Sequence, residues 1–512
     1  MPARTPYGSA LRALRRTREL ESVWNADAVD VLVVGGGITG AGIALDAASR
    51  GLKVVLVEKY DLAFGTSRWS SKLVHGGLRY LASGQFAIAR DSAVERGTLI
   101  TRTAPHLVRP LMQIVPLLPS MSTVGETVVR TGLALGDALR SVAGTSPAVL
   151  PRARRIGPED VASSAPTVNR DGLRGGVASW DGQVVDDARL VVAVARTAAL
   201  YGASILTGVS ARDVDRTSAT LVEEDTGSAT RIDARIVVNA AGVWAGKVDP
   251  SIALRPSRGT HLVFDAALFG GLTCSLTIQV PGERNRFVFA LPAPLGRVYV
   301  GLTDEPAEDI PDVPRATDAE IDFLLGVLGT AVSPAPQRSD ILGTFAGLRP
   351  LLGSGSGPTA ALSRRHAVFD DGDGPIGAVG GKLTTYRLMA EETVDAAVSA
   401  ARLSAGPCRT ASIPLVGAAT VASLASIQAP RTLVRRYGTE ARLVLAIAET
   451  MSGGLEPIAD GIDVCAAELA FSVRYEGARS ADDLLDRRTR IGLVESDRFR
   501  ARTAGERALR EN

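Results

Sequence analysis

The spacing of apolar and polar positions changes several times along the chain, and each change marks a different kind of element. Val31 to Val34 is a continuous apolar run, the pattern of a strand buried on both faces. An apolar helical pattern follows through Leu45 and Ala48, and Lys53 to Val57 is a second strand-like run. Strand, helix and strand in that order predict a parallel β-α-β unit. Ala203 to Val209 and Ile236 to Val238 read as further strands, the second ending in Asn239, Ala240, Ala241 and Gly242. Residues 82–150 read as helix-forming, broken by Pro105, Pro110, Pro116 and Pro119, with the apolar stretch Leu107 to Leu118 as core or cap. From Ile252 to about Asp340 apolar and polar residues alternate between turns, as in a separate antiparallel sheet. Gly406 to Asn512 is charged and helical, interrupted by Pro407, Pro414 and Pro430.

Between the first strand and its helix stand Gly35, Gly37 and Gly40, in G-x-G-x-x-G spacing, and the second strand ends in Glu58, 18 residues past Gly40. The glycines permit a tight turn, close approach of backbone to a pyrophosphate and close helix–strand packing. Free N–H groups of the helix start point at the phosphates, and Glu58 is placed to accept hydrogen bonds from ribose hydroxyls. This combination predicts a dinucleotide site. Beyond Glu58, Thr66, Ser67 and Ser71 lie in a loop of small hydroxyl residues that can wrap the pyrophosphate and ring end of a long cofactor, which FAD requires and NAD does not. The element V-N-A-A-G-x-W, with Ala241 and Gly242 at its turn, points the same way, and Val209 is placed near the adenine.

Composition narrows the class. A chain of 512 residues exceeds one compact core, and 46% hydrophobic residues fit a globular protein. A formal net charge of +2 argues against nucleic acid as partner. Cys274, Cys408 and Cys465 lie far apart without metal-ligand spacing, which suits a reducing compartment and predicts no metal. No run of 18 apolar residues and no apolar signal core are present, so a cytoplasmic location is expected. The 57 basic residues comprise 52 arginines and only 5 lysines, so a retained lysine is informative, and Lys72 and Lys382 fall inside motifs. Residues 1–28, with Arg4, Arg12, Arg15, Arg16 and Arg18, read as a basic N-terminal tail or short surface helix.

The run S-S-K-L-V-H-G-G-L-R-Y, from Ser70 to Tyr80, resembles the FAD-dependent, respiratory glycerol-3-phosphate dehydrogenase family. Further resemblance lies in D-x-x-x-x-D-D-A-R-L from Asp181, R-G-T-H at Arg258 to His261, G-L-R-P-L around Arg349, and G-G-K-L-T-T-Y-R from Gly380 to Arg387. L-V-R-R-Y-G-T-E and D-D-L-L-D-R-R-T-R resemble the C-terminal helical domain of that family, and the likeness spans about residues 29–495. Asp186 and Asp187 read as helix caps. The fold class expected is α/β: a glutathione-reductase-type, Rossmann-like FAD-binding domain with an antiparallel-sheet substrate domain and a C-terminal helical domain. The expected boundaries are 29–80 with 150–250 and 341–404 for the FAD domain, 81–149 with 251–340 for the substrate or cap domain, and 405–512 for the helical domain.

The resemblance implies oxidation of sn-glycerol 3-phosphate to dihydroxyacetone phosphate, with hydride passing to FAD and electrons to a membrane quinone. It implies that Arg79, Arg349, Arg364 and Lys382 line the phosphate pocket, that Tyr80 positions substrate, and that His261 is the active-site histidine. A phosphate dianion needs fixed cations, and arginine supplies bidentate donors where lysine supplies a point charge. The proton acceptor is open between His261 and an arginine-activated alkoxide. Cofactor contacts are expected from Lys72 and Leu73, and from Gly380, Gly381, Leu383 and Thr384, whose helix start would face the flavin carbonyl edge. Quinone use would require peripheral docking on the cytoplasmic face of the membrane, and a homodimer is expected. The same residues leave open a glycerol-phosphate oxidase using oxygen, an FAD oxidoreductase of 2-hydroxy or amino acids, and a flavin-binding regulator without turnover.

Overall fold

The computed structural model describes residues 6–26, 28–77, 85–283, 286–353 and 365–512. Among them, five strands form a parallel core in the order Ile376–Val379, Ala229–Asn239, Val29–Val34, Val54–Glu58 and Ser204–Thr207. Side chains of successive strand residues point to opposite faces. Val31 and Val33 therefore pack with the helices Ile38–Ser49, Asp187–Leu200 and Tyr386–Ala401. Leu32 and Val34 pack against Val209, Leu221 and Ile232 of an antiparallel meander. Burial on both faces is why this strand reads as an unbroken apolar run.

The second sheet is mixed and mostly antiparallel. Its order is Glu305–Pro306, Ser257–Asp265, Arg297–Gly301, Phe287–Ala293, Ser275–Gln279, Val108–Pro116, Gly176–Val184 and Leu73–Val74, and Gly343–Arg349 also pairs with Ser257–Asp265. Three of these strands depart from the expected boundaries. Leu73–Val74, Gly176–Val184 and Gly343–Arg349 fall in segments assigned to the FAD domain, yet hydrogen-bond within the second sheet. The chain crosses between the sheets more often than its composition changes. Within 82–150, Val108–Pro116 is a strand and not a helix. Its prolines are tolerated because Ser275–Gln279 meets it only at Gln113 and Ile114, leaving Pro110 paired on one side alone.

The expected basic tail contains a docked helix, Ala13–Trp24. Arg15 donates to the carbonyls of Gly8 and Ala199 at 2.7 and 3.0 Å, and Arg16 donates to Thr207 O at 3.0 Å and pairs with Glu223 at 2.9 Å. Arg16 thereby satisfies a carbonyl of Ser204–Thr207, the strand with no further strand beside it at the edge of the parallel sheet among the described residues, while Arg15 ties the helix to the end of Asp187–Leu200.

The C-terminal region packs as helices with a small hairpin, Pro457–Ala459 and Ile462–Cys465, and is joined to the nucleotide unit by buried ion pairs. Arg189 meets Glu476 at 2.6 Å and Arg196 meets Glu440 at 2.7 Å. Asp61 accepts from Arg487 at 2.7 Å and from Arg488 at 2.8 and 2.9 Å. Removing one partner of such a pair leaves an uncompensated buried charge.

Burial pushes the Asp61 carboxyl up, but Arg488 and Arg487 outweigh burial and hold it down to about 2, against an ordinary 3.8. The unfolded chain therefore takes up the proton first as pH falls. The stabilisation is complete above about pH 5 and lost as pH falls through about 2, with a size of about 2 kcal/mol. Asp61→Asn should lower the thermal midpoint near neutral pH and flatten its decline in acid. A midpoint unchanged by the substitution would show that this joint carries no stability.

Candidate active site

Four strand ends converge at the carboxyl edge of the parallel sheet, where ligands of open α/β sheets bind. Gly35 follows Val34 with φ +115°, and a β-carbon there would meet Ala240 O at 2.5 Å. A β-carbon on Gly40 would collide with the carbonyl oxygen of Gly35. Both collisions are with backbone, so only glycine lets the helix Ile38–Ser49 begin this close to the strands. Gly37 is the N-cap of that helix, and Ser67 Oγ accepts from the Ile38 N–H at 2.9 Å. Glu58 accepts from Gly36 N–H at 2.7 Å and Tyr60 N–H at 3.0 Å. Burial raises its carboxyl pKa against the opposing pull of those two N–H groups. Thr66 donates to Leu348 O at 2.6 Å, tying this loop to the second sheet.

Several further predicted cofactor residues stand near the same edge. Asn239 Oδ1 accepts from Ala241 N–H at 3.2 Å, and Gly242 opens a tight turn through Trp244. Gly380 and Gly381 follow Val379, and Leu383 and Thr384 form the turn that leads into Tyr386–Ala401. Val209 is buried at the start of the meander. The glycine cradle, the helix start and the acid at the second strand end fit the backbone-close binding of an FAD dinucleotide.

A different surface carries the cations. Ser257, Gly259 and His261 lie opposite Arg349, Gly347 and Phe345 on neighbouring antiparallel strands, so all six share one face. The Arg349 guanidinium folds across Gly259, where any β-carbon would collide with it. It donates to Ser257 Oγ at 3.2 Å, to Thr303 O at 3.1 Å and to Asp304 Oδ1 at 3.4 Å. His261 is stacked on Phe345 at 4.6 Å and 7°. Its Nε2 is 2.9 Å from Ser71 Oγ, and its buried Nδ1 has no hydrogen-bond partner among the described residues. Burial, then the charges of Lys72 and Arg349, push the imidazole well below its ordinary 6.5. His261 is therefore neutral, with one nitrogen uncommitted.

Of the other predicted residues, Lys382 donates to Ser92 Oγ at 2.9 Å. Arg79, Tyr80 and Arg364 lie outside the described residues. Lys72, expected at the cofactor, has its ammonium bonded within the protein. Its backbone is left-handed at φ +58°, which directs Nζ back to Arg68 O and Ser70 O, both at 3.0 Å, and to Asp187 at 2.7 Å. Burial lowers this lysine to about 8. Leu73 pairs with Gln183 in the second sheet. Asp186 caps Asp187–Leu200 by accepting from Ala188 N–H at 2.9 Å, as its position before the helix suggests. Sequence reasoning missed the supporting shell: Phe345 under His261, Asp304 beside Arg349, and the buried Arg96–Asp181 pair at 2.8 Å. Of these only Asp181 carried a signal, as the first acid of its motif.

Residues 30–387 match the model of the FAD dependent oxidoreductases, and residues 408–507 match the C-terminal domain of alpha-glycerophosphate oxidase. The chain is 57% identical over 503 residues, 97% of each chain, to glycerol-3-phosphate dehydrogenase 1 of Mycobacterium tuberculosis. It belongs to the FAD-dependent glycerol-3-phosphate dehydrogenase family. The fold is similar to that of glycerol-3-phosphate dehydrogenase from Bacillus halodurans complexed with FAD, with a TM-score of 0.72, 26% identity and 98% of each chain covered. L-alpha-glycerophosphate oxidase from Mycoplasma pneumoniae with FAD bound shares the fold alone, at a TM-score of 0.57 and 17% identity over 75% of this chain and 97% of that one. FAD is thus the cofactor of this family member, and the glycine cradle is where it fits.

Gly40→Val should abolish retention of flavin, read as flavin absorbance per chain after gel filtration. Full retention would show that the approach of this helix to Gly35 does not decide cofactor binding. Ser71→Ala leaves His261 Nε2 without its partner and should lower kcat about tenfold or more, the cost of one orienting hydrogen bond, with flavin content unchanged. Loss of flavin in that variant would place Ser71 in the cofactor site instead.

Proposed function

We propose that this protein oxidises sn-glycerol 3-phosphate to dihydroxyacetone phosphate and passes the electrons to a membrane quinone. The observation that carries the reading is the shared face of Arg349 and His261, a fixed guanidinium and a neutral imidazole with Gly259 and Gly347 between them. Arg349 would take two phosphate oxygens in its fork, with Lys382 adding a point charge. Arg79 and Arg364, by their match to family positions, would complete the cation set, and Tyr80 would position the glycerol chain. The uncommitted nitrogen of His261 would accept the proton of the C2 hydroxyl as hydrogen leaves that carbon. Ser71 serves by fixing the ring: when Nε2–H donates to Ser71 Oγ, Nδ1 keeps its lone pair for the proton. Stacking on Phe345 holds the same ring plane. FAD, when bound, supplies the two-electron acceptor for the departing hydride. The 57% identical mycobacterial relative, which bears the dehydrogenase name, supports the substrate assignment.

The quinone part of the reading is supported by the helix Thr123–Val142. Val124, Val128, Leu135 and Val142 are about half to two-thirds exposed on its outer side, and Arg130 is its one exposed charged residue. No described helix is long and apolar enough to cross a membrane. An apolar helix face of this kind suits peripheral contact with a lipid surface.

Anaerobic addition of sn-glycerol 3-phosphate to the holoenzyme should bleach the flavin bands within mixing time. Bands that persist would end the substrate assignment while leaving the cofactor intact. Arg349→Ala should raise KM for this substrate by about 10- to 100-fold, the range for a lost charged hydrogen bond, with flavin retained. Val128→Asp with Leu135→Asp should reduce co-sedimentation with lipid vesicles and turnover with a membrane quinone, but not with a soluble dye. Stoichiometric hydrogen peroxide in air, with no quinone turnover, would identify an oxidase instead.

A further inference from the structure

A cleft of about 1190 Å³ opens between the loop after Val54–Glu58, the segment from Val313 to Ala316 and the C-terminal helices. It is separate from the cofactor cradle: neither the glycine motif nor Glu58, Ser67 or Val209 lines it. Basic and acidic side chains both line it, and three of the acids are held by arginines, two of which, Arg487 and Arg498, also line the cleft. Asp61 is held by Arg487 and Arg488, Asp483 by Arg487, and Asp486 by Arg498.

Arg68 stands out in that lining. Its side chain is 2% exposed and lies on the rings of Trp69 and Phe64, at 4.2 and 5.0 Å. Its Nε and Nη1 are buried without a hydrogen-bond partner among the described residues, and its approach to a carboxylate, Asp486, is 3.6 Å, beyond hydrogen-bond reach. Arg490 lies beside it, donating to Arg68 O and Asp486 O, both at 2.6 Å, while its own Nε is buried and unpartnered. Burial, reinforced by the cations Arg487 and Arg490, lowers Arg68 to about 9. Buried guanidinium donors left unpaired next to like charges are among the costliest arrangements a fold can hold. An anion in the adjoining cleft would resolve both the missing hydrogen bonds and the repulsion.

We propose that this cleft is a binding site for a small phosphate-type oxyanion, with Arg68 as its principal ligand and Arg490, whose two terminal nitrogens are bonded to carbonyls, offering Nε alone. A guanidinium fork matches two oxygens of a tetrahedral oxyanion, and the aromatic backing of Arg68 fixes the plane of that fork. The site is coupled to the cofactor loop by sequence. Thr66, Ser67 and Arg68 form one tight turn, in which Ser67 caps the helix behind the glycine motif and Arg68 points into the cleft. Occupancy would immobilise that turn and should slow loss of flavin.

The proposal goes beyond the substrate assignment and does not rest on it. Equilibrium dialysis of holoenzyme against labelled orthophosphate tests it, with Arg349→Ala used to remove the anion site expected at the substrate face. The Arg349→Ala holoenzyme should still bind one phosphate per chain, and adding Arg68→Met should remove it. No phosphate bound to Arg349→Ala, or binding unaffected by Arg68→Met, would overturn the proposal. Should Arg68→Met fail to fold, crystals of the unaltered protein soaked in selenate decide the matter. Anomalous density between Arg68 and Arg490 supports the site, and its absence from the cleft refutes it.

Discussion

The cofactor-binding unit depends on how near the helix Ile38–Ser49 can come to the strands beside it. That distance is set by backbone meeting backbone, Gly40 against Gly35 O and Gly35 against Ala240 O. Neither contact can yield by rotating a side chain. The rest of the edge is arranged about this fixed helix start: Ser67 caps it, Glu58 closes on Gly36, and Thr66 reaches across to Leu348. Through the last of these bonds the cradle is tied to the strand that ends in Arg349, so the cofactor loop and the face shared by Arg349 and His261 are positioned by one framework.

Arginine has two structural uses in this chain, and they differ in outcome. Arg189, Arg196, Arg487 and Arg488 are buried with carboxylates in hydrogen-bond reach, and they join the C-terminal helices to the nucleotide unit. Such joints are specific more than they are strong, because the desolvation of each charge offsets most of the attraction. Arg349 is held with part of its fork against Asp304 and Ser257, and its guanidinium fills the space over Gly259. The difference lies in the neighbours: carboxylates meet the four joint arginines at short range, whereas Arg349 lies across Gly259 with its nearest carboxylate, Asp304, at 3.4 Å.

Neutral His261 follows from the same economy of space. Packed on Phe345 and flanked by two cations, the imidazole cannot hold a proton at rest, yet Ser71 gives it a defined orientation. A base that is unprotonated before substrate arrives, and becomes a cation only beside an anionic substrate, suits proton removal from an alcohol. Lys72 contributes from behind, through its charge and its contact with the Phe345 ring at 4.8 Å, while its ammonium is spent on Asp187.

The sequence by itself determined the nucleotide unit and the chemistry of its cofactor. An apolar run, spaced glycines and a terminal acid are local patterns, each enforced within a few residues by sterics or burial, so Gly35, Gly40 and Glu58 could be read directly. Motif likeness offered His261, Arg349 and Lys382, with Arg79, Tyr80 and Arg364, as a candidate set, of which the sheet brings His261 and Arg349 onto one face. What the sequence left open was everything fixed by contacts between distant segments. Val108–Pro116 carries five apolar residues and two prolines, and only its place beside Gly176–Val184 makes it a strand. Lys72 sits in a run of small polar residues, and only the structure shows that its ammonium bonds to Arg68 O, Ser70 O and Asp187. The pairing of Ser257–Asp265 with Gly343–Arg349 brings residues 88 positions apart in the chain, His261 and Arg349, onto one face. Register between strands so far apart depends on the packing of the whole sheet, and no local pattern encodes it.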